Sequence, residues 1–436
     1  MQYKAPKGLF DILPHLETED DAWKDSCKWQ FLEQAIQHLA RDYQCLEIRT
    51  PMFEPTDLFV RSSGETSDIV SKEMYTFLDK AQRSLTLRPE GTASSIRAFI
   101  EHGMEKLRPL NRLYCIGPMF RYDRPQAGRY RQFHQFSVEI IGSSLPETDV
   151  EAIDMMVELY RRLHIKNTKL LVNTIGDFET KETYQKALKH YFELHASHLS
   201  ADSQVRLEKN VLRILDSKSE QDRELVENAP KIYEFLTPKA KDHFHKVCSL
   251  LSSLNIPWEI SPFLVRGLDY YCHTVFEVVT SELGSQSALG GGGRYDGLIQ
   301  ALGGPHLPAV GFASGLERIL QVMLKQNFPF PSSEPPFVFF IALGEDASKK
   351  SMELVSKLRH ANIPALADFS QKKLSHILQI ADESRAKYVI VLGDRELASN
   401  ELSLKEMSTK KTTPLTMDAL MQTLVGLHQP NKVLYD

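Results

Sequence analysis

Two short stretches concentrate residue types that bind and react. In LRPEGT, Arg88 and Glu90 stand directly before the start of a helix, where free backbone N–H groups meet anionic or polar ligands. In QFHQFSVEII, strand alternation puts Gln135, Ser137 and Glu139 on one face and His134, Phe136, Val138 and Ile140 on the other. Three polar groups on one face of a central strand either line a pocket or lie buried without partners, and the second is costly. The pattern therefore points to a pocket. Arg121 ends the preceding strand and would bring a cation to the rim, where its paired N–H donors suit a phosphate.

These residues need elements to hold them. Trp23, Cys27, Phe31, Ala35 and Leu39 recur every four residues, which predicts an amphipathic helix to about Tyr43. EIRTPMFEPTDLFVRSSGET, with Pro51, Pro55 and Gly64, predicts extended chain and loop rather than helix. Thr92 is the expected cap of a helix through Ile96 and Ile100 that stops at Gly103. Residues 112–121 and 132–141 predict two antiparallel strands joined by the arginine-rich loop YDRPQAGRYR. Thr148 and Glu151 form a capping box for a helix over 149–163. A charge-rich helical pattern over 177–254 separates two strand-rich regions and looks like an insertion. Strand character returns at LDYYCHTVFEVV, GGGGRYDG reads as a glycine-rich loop, and a helix begins near GLERILQVM. Proline and serine mark a linker at 328–336, after which alternating strands and helices predict a small α/β domain.

A length of 436 residues implies two or three domains. No apolar run is long enough to span a bilayer, and MQYKAPKGLFDILP lacks the apolar core of a secretory signal, so a cytoplasmic location is expected. The five cysteines are scattered, with no CxxC pair, and read as reduced thiols. The fifteen histidines show no metal-binding helical spacing with a supporting carboxylate, so no metal held by protein ligands is expected. A net charge of −5 gives no general field for nucleic acid. From Pro335 onward, however, thirteen Lys/Arg face twelve Asp/Glu, so this end is less repulsive to RNA than the rest of the chain.

Five segments then resemble one family, in family order. FRYDRPQAGRYRQFHQFSVE resembles motif 2 of class II aminoacyl-tRNA synthetases in the form carried by histidyl-tRNA synthetases. RTPMFEPTDLFVRSSGETSDIVSKEMYTF resembles motif 1 and AVGFASGLERIL motif 3. LVRGLDYYCHTVFE is similar to the histidine-specific signature and GGGGRYDGL to its partner segment. With the opening KAPKGLFDILP and the C-terminal domain, the resemblance covers nearly the whole chain.

It implies an α+β fold, an antiparallel-sheet class II catalytic domain with a helical insertion, followed by a C-terminal α/β anticodon-binding domain. The expected bounds are 1–176 and 257–327 for the catalytic domain, 177–256 for the insertion, 328–336 for the linker and 337–436 for the last domain. The implied reaction activates L-histidine with ATP to histidyl adenylate and pyrophosphate. Histidine is then transferred to the 3′ end of its tRNA with release of AMP, in a homodimer, and Mg2+ is expected with ATP.

By the same resemblance Glu90, Gly91 and Thr92 would hold the α-amino end of histidine, with Gln135 nearby at the histidine and ATP sites. Glu139 and Tyr271 would read the imidazole, with Tyr270 and Tyr295 closing the pocket. Arg121 and Arg318 resemble the ATP-gripping arginines, Arg266 matches the arginine near the α-phosphate, and all three would serve catalysis. Arg124 and Gln126 would meet the tRNA acceptor end, with Arg129 and Arg131 extending the positive charge. Ser137 stands where bacterial relatives usually carry glycine, Cys272 and His273 replace a more familiar pair, and Ser314 and Leu289 are also less usual. Two rival readings are a histidine-sensing regulatory subunit of ATP phosphoribosyltransferase and an inactive RNA-binding or stress-sensing relative. Retention of Arg266, Tyr271 and the domain from Pro335 onward argues against the first, and intact Arg121, Arg266 and Arg318 argue against the second.

Overall fold

Alternation along residues 132–141 organises the larger part of the molecule. Phe136, Val138 and Ile140 are fully buried in a core with Val150, Ile153, Met156 and Leu159, so this side of the strand is the packed one. The computed structural model describes residues 3–14, 18, 21–64, 67–124, 128–217, 219–284, 288–331, 334–370 and 372–428. The chain divides into two compact units, Met1–Pro331 and Ser332–Asp436.

In the first unit an eight-stranded sheet runs in the order Leu46–Glu47, Asn111–Phe120, Gln132–Ile141, Ala309–Gly315, Ala288–Arg294, Cys272–Thr280, Thr168–Thr174, Glu259–Ile260. Its six central strands pair antiparallel, and only the two short outer strands pair parallel. The two predicted strands pair from Asn111 opposite Ile141 to Phe120 opposite Gln132. The helices Ser26–Asp42, Pro146–Arg162 and Leu316–Lys325 supply the apolar faces that cover one side of this sheet.

Local chemistry explains where several elements depart from expectation. The first helix starts at Ser26 because the Asp25 side chain accepts from Cys27 N at 2.9 Å; its buried stripe is Trp29, Leu32, Ile36 and Leu39, while Cys27 and Phe31 are only half-buried. The stretch expected to be loop contains the helix Thr56–Ser63. Pro55 precedes that helix, where its missing N–H costs nothing, and Gly64 ends it at φ +82°. The helix expected at 149–163 is Pro146–Arg162, and no capping box forms: the Thr148 hydroxyl donates to Leu145 O at 2.7 Å, and Glu151 pairs with Arg112.

GGGGR is not a loop but part of the strand Ala288–Arg294, with register shifts at both ends. A Cβ at Gly291 would lie 2.8 Å from Arg266 Nη1, and one at Gly293 would lie 2.9 Å from Tyr271 Cδ1. These glycines are the space over which Arg266 and Tyr271 lie.

Residues 177–254 form the helices Phe178–Leu194, Ala201–Lys209, Glu220–Glu227 and Pro238–Ser253, with short 3-10 turns between them. Of the segment read as linker, Phe328 and Phe330 pack on Phe31 with ring centroids 5.4 and 5.9 Å away. The second unit is a five-stranded sheet in the order Ala365–Asp368, Val338–Ala342, Tyr388–Leu392, Glu401–Glu406, Thr412–Thr416. The first three strands are parallel, as the strand–helix alternation requires, and the last two pair antiparallel.

Candidate active site

A cleft of about 540 Å³ opens on the face of the sheet opposite the Phe136 core. It is lined by Glu90, Gly91 and Thr92 from the start of one helix, by Arg121 and Gln135 from the central hairpin, and by Arg266, Tyr270, Tyr271, Tyr295 and Arg318. Elements far apart in sequence thus deliver ten of the residues singled out above to one place.

Glu90 holds the mouth of the helix Thr92–Glu101. Its Oε2 accepts from Thr92 N at 2.7 Å and its Oε1 from Ala93 N at 2.8 Å. The free N–H groups expected to await a ligand are therefore partly satisfied by Glu90, and Thr92 is the first helical residue rather than the cap. Burial pushes the Glu90 carboxyl above its usual range. Arg88 is not on the cleft lining; it is buried and donates to Pro118 O at 2.9 Å and to the hydroxyl and carbonyl of Thr50, linking the strand Asn111–Phe120 to the segment at Thr50.

The polar face of the central strand behaves unusually. Gln135 Oε1, Ser137 Oγ and Glu139 Oε1 are all buried with no hydrogen-bond partner among the described residues. Ser137 sits beside the cleft rather than on its wall: its Oγ lies 3.1 Å from where a Cβ on Gly91 would be. Glu139 lies behind the wall, where Tyr295 donates to its Oε2. Burial pushes the Glu139 carboxyl up to about 8, with the neighbouring Glu90 charge adding to the rise. The Tyr270 and Tyr271 rings lie 4.6 Å apart at a tilt of 51°, and Tyr295 meets Tyr270 edge-on at 5.5 Å, making an aromatic wall.

Three arginines surround this floor. Arg121 donates from Nε to Pro89 O at 2.8 Å and lies 5.2 Å from the Phe133 ring. Arg318 donates to Ala288 O at 2.7 Å and to Gly128 O at 3.1 Å. Arg266 pairs with Glu277. Burial lowers the pKa of Arg318, as do the nearby Arg129 and Arg121 charges, and burial likewise lowers that of Arg121. An anionic ligand would relieve that crowding.

Arg124 is exposed and outside the cleft, and Gln126 lies outside the described residues. The charge of this loop is partly answered locally, since Arg129 pairs with Asp123 at 3.0 Å. Glu73, Asp216 and Glu277 also line the cleft without having been singled out. Only Glu277 carried a signal, as a lone acid inside the apolar run TVFEVV. Of the departures, Ser314 satisfies buried Tyr160 through a 2.7 Å hydroxyl pair and donates to Leu289 O at 3.0 Å, while Cys272 Sγ accepts from Asp296 N at 3.3 Å.

An antiparallel sheet whose polar face meets three arginines at a cleft, together with the three motifs it assembles, defines the catalytic unit of a class II aminoacyl-tRNA synthetase. Residues 21–319 match the family model described as "Histidyl-tRNA synthetase", and residues 338–427 match that described as "Anticodon binding domain". The chain belongs to the histidyl-tRNA synthetase family. It is 51% identical over 424 residues to the histidine–tRNA ligase of Protochlamydia amoebophila, covering 97% of this chain and 100% of the relative. It is 46% identical over 428 residues to the histidine–tRNA ligase of a Geobacillus species, covering 97% and 99%. A crystal structure of apo Staphylococcus aureus histidyl-tRNA synthetase superposes with a TM-score of 0.81 at 37% identity, covering 97% of this chain and 100% of that one.

Proposed function

We infer that the chain is a histidine–tRNA ligase, which joins histidine to ATP as histidyl adenylate and then passes histidine to the 3′ end of its tRNA. The observation that carries this reading is the row of unpartnered buried acceptors on Gln135 and Glu139 beneath a cleft bounded by three arginines. Full-length similarity to histidine–tRNA ligases and the match at 338–427 favour it over the regulatory-subunit alternative.

In this reading Glu139 accepts an imidazole N–H through Oε1 while Tyr295 fixes Oε2. Tyr271 pairs with the other ring nitrogen, and Tyr270 and Tyr295 close the pocket. Such a site rejects isosteres that would leave its polar groups unpaired. Glu90, Gly91, Thr92 and Gln135 receive the α-amino end. The histidine carboxylate attacks the α-phosphorus and pyrophosphate departs. Arg266 stabilises the charge that builds on the phosphoryl oxygens, and Arg121 and Arg318, with Gln135 nearby, hold the nucleotide. Magnesium would come with the nucleotide and would offset phosphate charge. Among the carboxylates of the cleft, Glu73 and Glu277 would offer it oxygen ligands beside phosphate and water.

We assign 1–176 and 257–327 to the catalytic domain, 177–256 to an insertion, 328–336 to a linker and 337–436 to anticodon binding, with Arg124 and Gln126 toward the tRNA acceptor end. A homodimer through the motif 1 region is supported by exposed Phe53, Phe77 and Leu78 on the three-stranded sheet of Phe53–Pro55, Ser84–Leu87 and Tyr75–Leu78, with exposed Met52 just before it. A cytoplasmic location is supported by five free thiols. The roles are tested by Arg266→Ala, expected to slow adenylate formation by roughly 100-fold or more while the protein stays folded. Near-wild-type pyrophosphate exchange in that variant would remove Arg266 from the chemistry.

A further inference from the structure

Residues 265–271 carry Arg266, Tyr270 and Tyr271, yet form neither helix nor strand. Among the described residues no backbone–backbone hydrogen bond ties this segment to the rest of the fold; its one regular feature is a turn at Asp269–Tyr270. Polar backbone beside a buried site needs partners, and a segment without a ladder has no intrinsic reason to keep one shape. Its alternate carbonyls are instead taken by side chains from the helical region that follows Asp177. Arg213 Nη2 donates to Gly267 O at 2.5 Å. Lys181 Nζ donates to Asp269 O at 2.9 Å and to Tyr271 O at 3.4 Å. The Asp269 carboxylate is held in turn by Asn210 Nδ2 at 2.9 Å and by Arg213 Nη2 at 3.5 Å.

The three holders are themselves well placed. Lys181 lies in the first turn of Phe178–Leu194, a helix fixed by its Asp177 cap, which accepts from Thr180 N at 3.0 Å and from the Thr237 hydroxyl at 2.6 Å. Arg213 is only 9% exposed and also pairs with Asp68 at 3.5 Å, on the segment after the helix Thr56–Ser63. Gly64 also backs onto the Asp269 carboxylate so closely that a Cβ there would collide with it, which further confines the segment.

We propose that Lys181, Asn210 and Arg213 are positioning residues for the ligation: by binding the backbone and Asp269 of 265–271, they aim Arg266 at the phosphate and the tyrosine pair at the imidazole. This rests on the roles given to Arg266, Tyr270 and Tyr271 above. None of the three lines the cleft. They act through the segment, which makes the helical region part of the histidine site and not an appendage to it.

The test uses the full-length chain carrying Lys181→Met, Asn210→Ala, Arg213→Ala or Arg213→Lys, with Arg266→Ala as reference, in histidine-dependent ATP–pyrophosphate exchange. Circular dichroism and thermal melting establish that each variant is folded. Lys181→Met and Asn210→Ala are expected to raise KM for histidine and to lower kcat by roughly tenfold, since small displacements of reacting groups are costly. KM for ATP should stay within about twofold, because Arg121 and Arg318 lie outside the segment. Arg213→Lys should recover part of what Arg213→Ala loses. If Arg213→Ala does not fold, Asn210→Ala carries the comparison. Loss of exchange in Arg266→Ala, with unchanged parameters in the folded Lys181→Met and Asn210→Ala proteins, would overturn the positioning role alone. Equal rises in both KM values would do the same. Full exchange in Arg266→Ala would instead overturn the reading of the site on which the proposal rests.

Discussion

Tyr295 donates its hydroxyl to one carboxylate oxygen of Glu139 and leaves the other buried with no partner. A half-satisfied buried carboxylate is an expensive arrangement unless a ligand completes it. Glu139→Ala should therefore weaken histidine binding by roughly ten- to a hundredfold, the scale of leaving one buried donor of the ligand unsatisfied. ATP affinity should change little. Separate titrations with histidine and with ATP check this, and equal losses for both ligands would assign Glu139 a structural role.

The same burial makes stability depend on pH. The Glu139 carboxyl is raised from 4.5 to about 8 in the folded chain, so between these values the folded state keeps a proton that the unfolded state has released. The stabilisation linked to that proton is fully present below about 4.5 and is lost as pH rises through about 8. Relative to Glu139→Gln, the wild type should lose up to about 1.4 kcal/mol per pH unit across this window. Glu90, also raised by burial, is common to both proteins and largely cancels. Urea unfolding at pH 5, 6.5 and 8 measures the difference; parallel stability curves would count against a neutral Glu139.

Ser137 offers a smaller effect of the same kind. Its buried hydroxyl has no partner and lies next to Gly91 at the edge of the cleft. Ser137→Ala removes a desolvated polar group and should stabilise the free protein by about 1 kcal/mol. Histidine affinity should shift by about 1 kcal/mol or less, the value of one neutral hydrogen bond. A clear loss of stability would mean that the hydroxyl has a partner in the folded chain.

How much of this was legible depended on whether the controlling contact was local. Gln135, Ser137 and Glu139 could be placed on one face because strand alternation is a property of the segment itself. The helix Thr56–Ser63 was missed because Pro55 read as a breaker when it stands at the helix entrance. Gly290 to Gly293 read as a turn, since the reason for glycine there lies in distant neighbours: Arg266 against Gly291, Tyr271 against Gly293, the Tyr160 hydroxyl against Gly290 and the Gly311 backbone against Gly292. Glu90 was placed in the cleft, but its capping of Thr92 and Ala93 was not foreseen. Lys181 and Arg213 carried no signal, because their partners are backbone carbonyls of a segment more than fifty residues away.

The proposed division of labour needs two units that fold separately. The hydrophobic clusters of the first unit draw only on residues before Pro331, and those of the second begin at Phe337. A chain ending at Pro331 should fold and still form histidyl adenylate. Charging of tRNA should fall far more, through weaker tRNA binding. Exchange and charging on one preparation, with its oligomeric state checked, decide the matter. Equal loss of both in a folded, correctly assembled protein would mean that the second unit does more than bind tRNA.

Activation of histidine in this cleft is tested most directly by ATP–pyrophosphate exchange with the purified protein and magnesium, comparing histidine with histidinol, which lacks the carboxylate, and with other amino acids. Labelled pyrophosphate should enter ATP only when histidine is present, because the carboxylate must attack the α-phosphorus and the imidazole must engage Glu139 and Tyr271. Absence of exchange with histidine, or equal exchange with unrelated amino acids, would contradict the account.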